Sequence, residues 1–93
     1  MSLELKRYTL ASPPKTKTIQ MNEGAIITGC NVENDVVAIY ALCDPECGNV
    51  GQKVEVFQTG DSIDFANMGQ RMMVGIADVS GTIYHIFRES NIN

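Results

Sequence analysis

The sequence contains no tryptophan, a single histidine and only seven lysines and arginines in 93 residues. Eleven carboxylates outnumber those cations, giving a formal net charge of −4. This balance disfavours a nucleic-acid partner, because phosphate binding needs a basic surface. No apolar run approaches the roughly 20 residues that span a bilayer, so no membrane partner is expected. The first residues alternate apolar and charged side chains, unlike a signal peptide, and we therefore expect a soluble cytoplasmic protein.

The remaining composition is that of an ordinary globular protein. Hydrophobic residues make up 44% of the chain and charged residues 19%, which argues against disorder. A chain of this length has no room for a second core. We therefore expect residues 1–93 to form a single domain, and the spacing of its apolar residues predicts that this domain is all-β.

Apolar residues recur with a period near two, and no segment keeps a helical period for three turns. Seven strands are predicted, near Glu4–Leu10, Thr16–Met21, Ala25–Val32, Val36–Cys43, Lys53–Gln58, Arg71–Ala77 and Thr82–Arg88. Clusters rich in glycine, proline, asparagine and aspartate separate them. This pattern predicts an all-β fold, either a single small antiparallel sandwich or a partly open barrel of about six to seven short strands.

Residues 25–43 predict a long hairpin, because β-branched and apolar residues flank a short turn at Glu33-Asn34-Asp35. A three-residue and a two-residue turn assign the side chains differently, but both leave the two faces largely apolar. Antiparallel strands with one wet face normally alternate apolar and polar residues. We therefore expect the hairpin to be covered on both sides, by the rest of the domain or by a second copy, which makes a homodimer a possible assembly.

Several ordered segments resemble a family of small phage and prophage proteins whose role is unassigned. Asn22-Glu23-Gly24-Ala25 is similar to the family's opening turn, residues 39–45 to its Leu-Trp-Ala-Leu-Val-Asp-Pro block, and residues 83–89 to its closing Val-Trp-His-Val-Phe-Glu strand. Tyr40 and Tyr84 stand where the family has tryptophan, which preserves an aromatic ring with a polar tip. The resemblance implies a shared fold and a phage or prophage origin, hence action in a bacterial cytoplasm.

Three cysteines and one histidine match the ligand count of a structural zinc site, but their spacing argues against one. In either hairpin register Cys30 lies on the order of 13–16 Å from Cys43, given about 3.3 Å per residue. Thiolates on one zinc lie within about 4 Å of each other. A disulfide between Cys43 and Cys47 is not expected in the cytosol. We expect Cys30 and Cys43 to be small core residues, and we expect no metal and no cofactor.

His85 is the only histidine, and strand alternation places it beside Ile83 and Phe87 on one face. A histidine there could act as a general base or a pH switch. The sequence places no serine or cysteine beside it, and the close carboxylate pairs of the chain lie in turns and match no calcium loop. We therefore expect a hydrogen-bonded structural histidine and no enzyme.

The function that fits best is a non-enzymatic accessory protein that binds a host or phage protein, or its own copy, for instance to counter host defence. Aromatic and arginine side chains are typical anchors of such interfaces. The candidate interaction residues are Tyr40, Tyr84, His85, Arg71 and Arg88. Met72 and Met73 fall on opposite faces of their strand, so we expect one in the core and the other available to a partner.

Two other functions remain open at this stage. A small-ligand binder, for example of a nucleotide signal, would require the cations to converge and a tyrosine to stack on the base. The residues for this role are Lys15, Lys17, Arg71 and Arg88 for the phosphates, and Tyr40 or Tyr84 for the base. A minor virion or assembly component would instead co-purify with phage particles.

Overall fold

Seven antiparallel strands in two sheets make up the regular structure of residues 2–10, 16–63 and 71–89, the ranges that the computed structural model describes. The strands are β1 Glu4–Thr9, β2 Lys17–Asn22, β3 Ile26–Glu33, β4 Val36–Cys43, β5 Asn49–Gln58, β6 Arg71–Val79 and β7 Thr82–Glu89. One sheet has the order β1-β4-β3 and the other β2-β5-β7-β6. The predicted all-β fold is confirmed, and of the two predicted architectures the structure is the sandwich. The described ranges contain no helix with the length and hydropathy needed to cross a membrane.

The core lies between the two sheets and centres on β4, the middle strand of its sheet. Four residues of β4 point inward and are at most 1% exposed: Val37, Ile39, Ala41 and Cys43. Val54 of β5 and Ile86 of β7 meet them from the second sheet and are fully buried. Burying a side chain of this size stabilises the fold by about 1.5–3 kcal/mol. Burial between the sheets therefore explains why the inward-facing residues of β4 are apolar.

Two hairpins end in turns whose backbone is left-handed. Asn34 and Asp35 have φ angles of 51° and 62°, and Ser80 and Gly81 have 51° and 87°. Two consecutive residues with positive φ form the turn that matches the twist of the flanking strands. The β3–β4 turn is therefore the two-residue alternative. The Ser80 hydroxyl lies 3.0 Å from Asp35 Oδ1, so a hydrogen bond ties the tips of the hairpins from the two sheets.

A β-bulge between Ile27 and Gly29 shifts the register of β3 and decides which residues face outward. Leu42 pairs with Leu5 on one side and with Ile26 on the other, so these three side chains form one row across the sheet. We call Leu5, Leu42 and Ile26 the aliphatic row. Leu5 and Ile26 are 73% and 59% exposed. The hairpin is thus covered on its inner face by the domain, while its outer face is open at the aliphatic row in the single chain.

The sulfur-containing residues depart in part from expectation. Cys43 is fully buried as expected, whereas Cys30 is half-buried at the margin of the core. The prediction that either Met72 or Met73 lies in the core is wrong, since they are 42% and 58% exposed. The reason is that β6 is an edge strand of its sheet. The Met72 sulfur accepts a hydrogen bond from Arg88 Nη2 at 2.9 Å, and Met72 is not among the residues that pack against the core.

Candidate functional site

The outer face of the four-stranded sheet brings aromatic and apolar side chains from three strands together. Phe57 of β5 pairs with His85 of β7, which in turn pairs with Ile76 of β6. One row further along, Phe87 pairs with Met73. Met73 and Ile76 are 58% and 57% exposed. We call these five residues the aromatic face.

A cleft of about 240 Å³ opens at the β5 side of the aromatic face. Its apolar walls are Phe57, Phe87 and Ile63, and His85 contributes a polar wall. The turn after β5 completes the lining with Gln58, Thr59, Gly60 and Asp61. The two phenylalanine rings meet edge to face, with centroids 5.9 Å apart and an interplanar angle of 71°. This is a favourable geometry for an aromatic pair, and it presents both a ring edge and a ring face.

His85 is hydrogen-bonded to the turn that borders the cleft. Its Nε2 lies 2.8 Å from Thr59 Oγ1, and the tautomer of the imidazole decides which of the two donates. With either tautomer the threonine oxygen keeps at least one lone pair free to accept. Backbone contacts fix the turn, since Thr59 N donates to Ile83 O at 3.1 Å and Gln58 N donates to Asp61 Oδ2 at 2.7 Å. The Asp61 carboxylate therefore holds the turn.

An ion pair braces the sheet beside the cleft. Arg71 Nε lies 2.9 Å from Glu55 Oε1, and Arg71 Nη2 lies 3.1 Å from Glu55 Oε2. Both side chains are only 11% exposed, and the guanidinium carbon lies 5.6 Å from the centroid of the Phe57 ring. A bidentate pair of this kind is strong and directional. Because β7 lies between β5 and β6, the pair reaches across β7 and fixes the Phe57 ring from one side.

Tyr40, predicted as an interaction residue, lies on the outer face of the other sheet. Its hydroxyl donates to Glu33 Oε2 at 2.5 Å, and the same carboxylate forms an ion pair with Arg7. The hydrogen bond from Tyr40, and after it that from Arg7, lowers the pKa of the Glu33 carboxyl. In the sheet register Arg7 of β1 lies beside Tyr40 of β4, and Glu33 of β3 lies beside Val36 of β4. The ion pair between Arg7 and Glu33 therefore crosses above Ala38, which is 0% exposed. Tyr40 thus belongs to a polar cap beside the aliphatic row.

The cations named for a small ligand do not form one cluster among the described residues. In the sheet register Arg71 of β6 lies opposite Glu89 of β7, on the outer face. Arg88 is one position earlier on β7 and therefore points to the inner face. Lys17 begins β2, at the opposite edge of the sheet from β6. Lys15 lies outside the described residues.

Tyr84 also points inward, where it is half-buried and packs against the core. Of the five candidate interaction residues, the structure therefore brings only His85 and Arg71 to the outer face of the four-stranded sheet, while Tyr84 and Arg88 lie on its inner face. Among the described residues, no group of three or more histidine, cysteine or acidic side chains could hold a metal ion.

Sequence reasoning missed Phe57 and Thr59 as neighbours of His85. Strand alternation placed Phe87 on the same side as His85, but the pairing of β5 with β7 is a contact between strands that are not consecutive. The available signal was weak: in each strand a phenylalanine lies two positions after a polar residue, Phe57 after Glu55 and Phe87 after His85, which is compatible with a half-solvated outer face.

Comparison with known proteins finds no matching family model, no matching curated protein and no matching solved structure. The function is therefore argued from the geometry of the aromatic face.

Proposed function

We propose that the protein is a non-enzymatic accessory module of phage or prophage origin that acts in the bacterial cytoplasm by binding another protein through the aromatic face. The origin and location rest on the sequence resemblance. The observation that carries the binding role is the exposure of Met73 and Ile76, 58% and 57%, next to a cleft with aromatic walls. Scattered apolar side chains are ordinary on a surface, but a contiguous group beside a cleft is typical of interaction sites.

The polar groups of the cleft favour binding over catalysis. A hydroxyl bonded to a histidine has the reach of a nucleophile and its base, but such a pair also needs a third group that orients the base. Asp61 is the only carboxylate among the described residues that line the cleft, and it accepts from the backbone of Gln58. The Thr59–His85 bond therefore supports the wall of a binding site.

A comparative pull-down from bacterial lysate tests this proposal. The wild type, Ile76→Asp and Leu5→Asp are immobilised at equal density, and retained proteins are identified by mass spectrometry. Leu5 is the matched control, because it is an aliphatic residue on the other sheet that is at least as exposed as Ile76, 73% against 57%. We expect one protein to be retained by the wild type and Leu5→Asp and lost with Ile76→Asp. Equal retention on all three, or turnover of a substrate that depends on His85, would contradict the proposal.

We also propose self-association through the aliphatic row. A two-fold axis along β4 would set Leu42 of one copy against Leu42 of the other, and Leu5 against Ile26. The next row is compatible with this arrangement, because Gly29, which has no side chain, pairs with Tyr40 and would face Arg7 of the second copy. The row is therefore self-complementary in shape.

The size of the face sets the strength expected of this dimer. Three strands about 4.8 Å apart and about 25 Å long cover roughly 350 Å². Standard interfaces bury roughly 800 Å² per partner, so we expect a weak and reversible dimer. Light scattering should show a mass that rises with concentration for the wild type and for Ile76→Asp, but not for Leu5→Asp. A mass independent of concentration in the wild type would contradict self-association.

A further inference from the structure

We propose that the cleft beside His85 binds one aromatic side chain of the protein partner, a tyrosine or a tryptophan. The ring would enter between Phe57, Phe87 and Ile63, and its O–H or N–H would donate to Thr59 Oγ1. This inference rests on the proposed function, which it deepens by naming the group that is recognised.

The size of the cleft selects a side chain over a free ligand. Sites for small molecules usually enclose about 300–1,000 Å³. At about 240 Å³ this cleft is smaller than that range but has room for one ring. It is also continuous with Met73 and Ile76 of β6, which pair with Phe87 and His85 of the cleft, so the chain that carries the ring would lie across an apolar surface. Large aromatic side chains that enter a pocket dominate the affinity of many interfaces.

The walls of the cleft are suited to a ring. Phe57 and Phe87 meet edge to face, so an incoming ring can stack on one and contact the edge of the other. Arg71 lies over the Phe57 ring and is itself held by Glu55 in a bidentate ion pair. The wall is therefore preorganised, and binding needs little reordering of side chains.

The Thr59–His85 pair selects a ring with a donor at its tip. Thr59 Oγ1 keeps a free lone pair with either tautomer of His85. A phenylalanine ring would cover this oxygen without bonding to it, and an acceptor that loses water without gaining a partner costs free energy. Tyrosine and tryptophan supply the missing donor, so they are favoured over phenylalanine.

Titration of ¹⁵N-labelled protein with three side-chain probes tests the inference by NMR. The probes are p-cresol for tyrosine, 3-methylindole for tryptophan and toluene for phenylalanine. We expect saturable shifts in residues 57–63 and 85–87, with millimolar dissociation constants. The p-cresol constant should be about 5-fold lower than that of toluene, the net effect of one hydrogen bond. In Thr59→Val this preference should disappear, while the matched control Thr18→Val, an exposed threonine on the same sheet, should keep it.

Four outcomes would overturn the inference. Three of them are the absence of saturable shifts in the cleft, equal binding of p-cresol and toluene to the wild type, and a preference that survives in Thr59→Val. A micromolar constant for p-cresol alone would also overturn it, because a free phenol would then be the ligand. The pull-down separates the two proposals: if retention depends on Ile76 but no probe binds the cleft, the inference fails and the proposed function stands.

Discussion

Gly29 and Gly75 each lie at a β-bulge, but they differ in the space that the packed sheets leave for an added methyl group. A Cβ on Gly75 of β6 would lie 2.8 Å from Cys30 Sγ of β3, whereas a Cβ on Gly29 would meet nothing within 4 Å. Neither residue is among the glycines with positive φ. Gly75 is therefore required by the close approach of two edge strands and not by its backbone conformation.

Gly75→Ala should lower the free energy of unfolding by about 1–3 kcal/mol, because the added methyl forces the Cys30 side chain or a strand to shift. Gly29→Ala, also at a bulge, should change it far less. Adding Cys30→Ala to Gly75→Ala removes the atom that clashes and should restore part of the loss. Urea unfolding of the wild type and these three variants measures this, and equal losses for the two glycine substitutions would show that packing on Cys30 is not the cause.

The lowered pKa of Glu33 predicts a loss of stability in acid. Hydrogen bonding to Tyr40 and Arg7 lowers the pKa of this carboxyl in the folded protein. Its contribution to stability is therefore present above the unfolded-state pKa and is lost as the pH falls through the lower folded-state pKa. Urea midpoints measured from about pH 6 to about pH 3 should fall more steeply for the wild type than for Glu33→Gln. Parallel curves would mean that Glu33 titrates alike in both states.

At the scale of elements, the Arg71–Glu55 pair joins β6 to β5 across β7, the strand that carries His85. Glu55→Ala should destabilise the protein by roughly 2–4 kcal/mol, because the guanidinium loses its bidentate partner in a site that is largely shielded from water. Glu46→Ala, in the exposed turn after β4, should stay within about 0.5 kcal/mol of the wild type. Thermal unfolding compares them, and similar values for both variants would show that the pair does not brace the sheet.

The strands were predictable from the sequence, but their neighbours were not. Alternation of apolar and polar residues is a local property, so all seven strands were predicted, six of them close to their observed bounds. The exception is β5, which begins at Asn49 instead of Lys53, because its first residues pair with β2 without carrying an apolar alternation. Pairing of β1 with β4 and of β5 with β7 depends on contacts between distant segments.

The candidate site was predictable only in part, for the same reason. The face of His85 follows from alternation within β7. The cleft depends on β5 and the turn after it, because Phe57 and Thr59 reach His85 only where the sheet places β5 beside β7. The bulges of β3 and β6, which decide what faces outward, are marked in the sequence only by one glycine each, and a glycine within a strand does not by itself fix the register.

At the scale of the whole molecule, the two exposed apolar surfaces lie back to back. The aliphatic row is on the outer face of one sheet and the aromatic face is on the outer face of the other. The described fold has only two layers, so a partner on one surface leaves the other free. In the assembly that we propose, a second copy would lie on one side and a different protein on the other, which would give the dimer two equivalent binding sites.

The buried thiol of Cys43 provides a direct measure of how tightly the two layers hold together. Cys43 is 0% exposed between the sheets, so a thiol reagent reaches it only when the sheets separate. In a Cys30→Ala, Cys47→Ala background, the labelling rate should follow the free energy of global unfolding. In this background Gly75→Ala should leave the labelling rate of Cys43 nearly unchanged, because the Cys30 sulfur that its methyl group would contact is absent.

The informative contrast comes from Glu55→Ala in the same background. A loss of roughly 2–4 kcal/mol should speed labelling of Cys43 by more than tenfold, because every 1.4 kcal/mol is a factor of ten. Leu5→Asp should leave the rate near that of the parent, since Leu5 lies outside the core. If the labelling rate changes neither with urea nor in Glu55→Ala, the reagent reaches Cys43 through a local opening. The rate would then not measure the unfolding of the two sheets as one unit.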